Sequence, residues 1–83
     1  MGQVEVLSFL VNEKKERPEK WFTSEEIYRG LLAHGKSYDI RGVKRCLFSL
    51  VSSRYVDTEL EREGFGTRRK YQASESAVEE LGK

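Results

Sequence analysis

Residues 40–60 read IRGVKRCLFSLVSSRYVDTEL, and a change of period inside that stretch decides the fold. Ile40, Val43, Leu47, Leu50 and Val51 fall on one face at about 100° per residue. Arg41, Arg45, Ser49 and Ser52 fall on the opposite face. After Ser53 the period drops to two. Tyr55, Val56, Thr58 and Leu60 interleave with Asp57, Glu59 and Glu61, as in a strand. The pattern predicts a helix over residues 38–53, capped by Ser37 or Asp39, that runs straight into a strand.

Downstream, Gly64-Phe65-Gly66 interrupts the alternation, and Thr67 to Ala73 reads as the returning strand of a hairpin over residues 55–73. Ser74 is placed to cap a short helix over 75–82 that carries Val78 and Leu81. Upstream, Gly35 supplies the left-handed residue that commonly follows a helix end. The helix it ends spans 24–34, with Ile27, Leu31 and Leu32 as its apolar residues. Thr23 and Glu26 form a capping box, and Phe22 and Ile27 stand at the positions of a hydrophobic staple. Trp21 and Phe22 read as a short extended piece. Before Pro18, which ends a helix by pushing its predecessor out of the α region, residues 3–16 form a first helix rich in apolar side chains.

The chain has 83 residues, so one domain is expected, and a core of modest size. Charged residues are 35% and prolines one, which argues against disorder. No run approaches the ~20 apolar residues of a membrane span, and the N-terminus lacks a secretory pattern. A cytoplasmic protein is expected. Cys46 is the single cysteine, which rules out an internal disulfide and reads as a small core residue. His34 has no ligand partners at metal spacing and suits a helix end. Glu25-Glu26 and Glu79-Glu80 are sequence neighbours on helices and do not face each other as a catalytic pair. No nucleophile elbow, phosphate loop or dinucleotide fingerprint is present, so no enzyme, cofactor or metal is expected.

Charge is uninformative in total and informative in distribution. The net charge is +1, yet residues 36–54 carry +4 and residues 62–70 carry +3, against −1, −3 and −2 for 1–35, 55–61 and 71–83. Two short helices on a tight turn, followed by a basic hairpin, resemble the winged helix-turn-helix family. Val43-Lys44-Arg45-Cys46-Leu47-Phe48-Ser49-Leu50-Val51 is similar to the end of that family's recognition helix, and Tyr55-Val56 to the entry of its wing. Lys70-Tyr71-Gln72-Ala73-Ser74 with Val78 and Leu81 resembles the returning strand and closing helix. The resemblance implies an α+β, mostly helical fold: a three-helix core, a two-stranded β-hairpin wing and a short C-terminal helix. It implies a regulator of transcription that binds double-stranded DNA and acts by occupying an operator. The third helix would enter the major groove. Small bacterial and archaeal regulators are the nearest group.

On that reading Ser37, Tyr38, Arg41, Lys44, Arg45 and Ser49 form the reading helix face. Arg suits guanine, and Lys44, at the border of the apolar face, suits a phosphate. Arg62, Thr67, Arg68, Arg69 and Lys70 make the wing contacts, to phosphates or a minor groove. Phe65 at the tip is expected to fold back on the hairpin. The competing reading of these cations is a solvated helix face and an edge strand protected by charge. Gly42 fits either close approach to DNA or close packing on the second helix. Val4, Val6, Phe9, Leu10, Val78 and Leu81 offer surplus apolar surface for a homodimer; the competing reading is that a small core uses them all. No small-molecule effector is expected. Two other classes remain: a winged-helix protein-docking module without DNA binding, and a single-strand or RNA binder that stacks bases on Tyr38, Phe65 and Tyr71.

Overall fold

The computed structural model describes residues 2–35 and 39–81. Among them are helix α1 (Gly2–Glu16), strand β1 (Phe22–Thr23), helices α2 (Ser24–Ala33) and α3 (Ile40–Ser52), strands β2 (Val56–Glu63) and β3 (Gly66–Ala73), and helix α4 (Glu75–Leu81). The three strands form one antiparallel sheet in the order β1-β3-β2. The two-stranded hairpin expected is present as β2 and β3, and the sheet gains a third strand. The extended piece before α2 pairs with the base of β3, Phe22 opposite Tyr71 and Thr23 opposite Lys70. The backbone donors and acceptors of so short a segment need partners, and the β3 edge supplies them.

The local signals that start and stop α2 are realised. The Glu26 N–H donates to Thr23 Oγ1 at 3.2 Å, and the Thr23 N–H donates to Glu26 Oε1 at 3.0 Å. Both staple residues, Phe22 and Ile27, are buried beneath this cap. Gly35 takes φ +79° after α2. Asp39 is the N-cap of α3, without a side-chain bond to it, and the expected Ser37 lies outside the described residues. The end of α3 is a feature not read from the sequence. Arg54 adopts φ +65°, with its N–H on Val51 O and the Tyr55 N–H on Leu50 O, both at 3.0 Å. This is the Schellman arrangement that glycine usually occupies.

The core lies where α1, α2 and α3 meet, closed by the hairpin base and α4. Ile27, Val43, Leu47, Leu50 and Val56 are buried there with four residues of α1: Val6, Leu7, Leu10 and Val11. That corrects the expected dimer surface. Val6 and Leu10 are each 1% exposed and belong to the core. Phe9 stacks edge-on against Phe22 with centroids 5.9 Å apart, and Val78 packs on the core from α4. Only Val4 and Leu81 of that set remain exposed. A small chain has few apolar residues to spare, and α4 folding back onto α1 uses most of these. Cys46 is half-buried against the core.

Polar ties fix the sheet to α1 and to the segment that follows it. Gln72 is buried, and its Nε2 donates to Pro18 O at 2.6 Å and Lys20 O at 3.2 Å. Lys14 Nζ donates to Ala73 O at 2.8 Å. Beyond this base the hairpin runs outward. β3 passes from buried at Ala73 to exposed at Gly66. Its turn holds two residues, Gly64 and Phe65, with positive φ at Gly64 (+57°) and not at Phe65. That pattern matches a type II′ turn. Among the described residues no helix is long and apolar enough to cross a membrane.

Candidate nucleic-acid interface

The outward face of α3 is set by its buried one. Val43, Leu47 and Leu50 point into the core, so the opposite line carries Arg41, Arg45, Phe48 and Ser52, all exposed. Three side chains of this stripe were expected and one was not. Ser49, expected on the presented face, is half-buried and turns toward α1, where its Oγ accepts from Gln3 Nε2 at 3.0 Å. Phe48 takes the vacated role, with 76% of its surface exposed. It sits three residues after Arg45 and four after Lys44, so a helical wheel alone places it among the cations. Ser37 and Tyr38 lie outside the described residues.

On one flank of this stripe α3 and β3 enclose an open cleft of about 1180 Å³. Lys44, Phe48 and Val51 form one wall, Thr67 to Tyr71 another, and the start of α2 with Lys20 and Trp21 the end. Six cations line it (Lys20, Arg29, Lys44, Arg68, Arg69 and Lys70) against two carboxylates, Glu25 and Glu26. Glu26 is already held in the capping box. The two basic segments of the sequence thus meet across one cleft. Lys20, Trp21 and Arg29 join them from a part of the chain that is acidic overall, which is why charge counting missed them.

The hairpin itself is two-faced. Side chains alternate along each strand, and directly opposed residues share a face. Register therefore puts Thr58, Leu60, Arg62, Thr67, Arg69 and Tyr71 on one side. Asp57, Glu59 and Glu61 share the other with Arg68 and Lys70. The first side carries only positive charge and the second is net acidic. Lys70 pairs with Glu61 across the strands. The five expected wing residues are thus divided. Arg62, Thr67 and Arg69 stand together and exposed, while Arg68 and Lys70 lie among glutamates. Counting antiparallel register from the Gly64-Phe65 turn would have separated them.

Phe65 does not fold back. It is fully exposed at the tip, because a two-residue turn leaves it no surface to lie on. Tyr71 is half-buried at the cleft floor, and burial raises its phenol above the ordinary range against the pull of the Arg69 guanidinium. Among the described residues nothing lies within 4 Å of where a Cβ on Gly42 would stand, which argues against close packing on α2 as its reason. The glycine that packs closely is Gly30, whose added Cβ would lie 2.4 Å from Phe9 Cζ. His34 sits at the α2 end, exposed and edge-on to Phe9 at 6.1 Å.

No protein-family model, no curated protein and no solved structure matches this chain.

Proposed function

We propose that the chain is a winged helix-turn-helix domain that binds double-stranded DNA and regulates transcription by occupying its site, a binding module rather than an enzyme. The observation that carries the reading is the cleft. The exposed stripe of α3 and strand β3 flank a single channel with six cations and two carboxylates on its walls. A duplex presents phosphate strands on both sides of its major groove, and a helix lying in that groove needs cations on its flank to meet them. Arg41 and Arg45 would then face base edges, Lys44 and Arg29 the phosphates, and the Arg62–Arg69 side of the hairpin the adjacent backbone.

A second reading draws on the same cleft. Trp21, Phe48 and Tyr71 line it, and aromatic side chains in a cationic channel also suit single strands, whose unpaired bases stack on rings. One titration separates the two. Random-sequence duplex and the matching single strand are each titrated at two salt concentrations with the native protein and an Arg41→Ala/Arg45→Ala/Arg69→Ala variant. Duplex binding that weakens steeply with salt and collapses in the variant supports the proposal. Tighter binding of the single strand makes the protein a single-strand binder. No binding at low salt overturns both and leaves a protein-docking role.

A further inference from the structure

We propose that Phe48 is a base-reading residue that recognises the 5-methyl group of thymine in the major groove. The inference rests on the duplex-binding reading and adds to it a sequence preference.

The fold gives Phe48 no work. With 76% of its surface exposed, the ring contributes little to the core that Val43, Leu47 and Leu50 build from the other side of α3. An isolated exposed apolar residue is ordinary on a protein surface. This one lies in the line of Arg41, Arg45 and Ser52, the four falling within an arc of about 60° around the helix at 100° per residue. Those four span about 16 Å of helix axis. Lys44 and Val51 sit on the flank that faces β3, and Phe48 and Ser52 stand where that cleft meets the outward stripe. A helix that lays this stripe on the groove floor brings the Phe48 ring to base edges and leaves phosphates to the flank. A protein partner covering Phe48 would have to desolvate Arg41, Lys44 and Arg45 with it, a cost that a polyanion turns into a gain.

The ring can neither donate nor accept a conventional hydrogen bond. Over the edge of guanine, adenine or cytosine it would mask polar groups and return nothing for their lost water. The thymine methyl is the one apolar feature of the major groove. Arg45 precedes Phe48 by three residues, about 4.5 Å along the axis, close to one base-pair step of about 3.4 Å. Arg favours guanine. The bound site should therefore place a thymine within one or two steps of a guanine.

The test selects duplexes from a random pool with the native protein, then replaces each thymine of the best site singly with deoxyuridine, which removes only the methyl. The same duplexes are titrated with F48A. The expected result is one thymine position per α3 contact where the replacement weakens native binding about fourfold, the worth of one buried methyl group, and leaves F48A binding unchanged. A pool selected with F48A should lose thymine at that position and keep its guanine. The inference is overturned if no thymine is selected, if deoxyuridine costs nothing, or if its cost is the same for both proteins. In those cases duplex binding with a steep salt dependence still stands. If the native protein binds no duplex at low salt, the duplex-binding reading fails and this inference falls with it.

Discussion

Arg54, Gly30 and Gly42 show how single positions depend on surroundings the sequence does not display. Arg54 occupies a left-handed conformation at the end of α3, where a Cβ crowds the carbonyl oxygen. Arg54→Gly should stabilise the protein by about 1 kcal/mol, raising Tm by about 4–8 °C in a thermal melt. Gly30→Ala should do the opposite. Its Cβ would strike the Phe9 ring, which is held between Phe22 and His34, and a net loss of about 1–2 kcal/mol is expected in urea unfolding. Gly42→Ala meets open space and should gain up to about 1 kcal/mol of helix propensity. If α3 approaches DNA at Gly42, that stabler variant will bind duplex less tightly. Tyr71 adds a pH effect. Its phenol pKa is raised in the folded protein, so the unfolded chain gives up the proton first. Stability from this group is whole below about pH 10 and declines as pH rises above it. Tyr71→Phe should flatten that part of the alkaline decline in stability measured by melts from pH 9 to 11.

At the scale of elements, the hairpin matters most, because its two sides carry opposite charge. Lys70 spends part of its charge on Glu61, at the rim of the proposed binding cleft. Glu61→Gln should therefore raise duplex affinity at low salt, with the gain shrinking as salt screens it. An unchanged or weaker affinity would show that this pair does not bear on binding. The helices owe their ends to local chemistry and their faces to period. The Thr23–Glu26 box, the Phe22–Ile27 staple, Gly35 and Ser74 were all legible in the chain, since each acts over a few residues. The pairing of the third strand was not. β1 exists because β3 passes beside it, and nothing within Trp21–Thr23 states that neighbour. Gln72 is the same case: its two bonds reach residues more than 50 positions away. Gln72→Leu should cost about 1–3 kcal/mol in the same unfolding assay, the net worth of the two hydrogen bonds it removes at about 0.5–1.5 kcal/mol each.

For the molecule as a whole, the question is what the apolar residues of α1 are for. The sequence leaves α1 free to serve a core or a partner; packing against α3 and α4 commits Val6, Leu7, Leu10 and Val11 to the core. Val4 and Leu81 alone are far from the ~800 Å² per partner of a stable interface. The free protein should sediment as a monomer at tens of micromolar. A dimer at that concentration would require an interface elsewhere on the molecule.

The sequence by itself determined the order and type of nearly every element, the caps that bound them, and the apolar face of α3. These follow from period and from interactions between residues close along the chain. It also located two cationic segments without showing that they meet. Tertiary structure alone decided that Lys20, Trp21 and Arg29 join them around one cleft. It also decided that Ser49 serves α1 while Phe48 faces outward, and that strand register splits the hairpin's arginines between two sides. Those outcomes depend on how helices rotate against one another and on which strands pair. Contacts between residues distant in the chain set both, and a local pattern does not encode them.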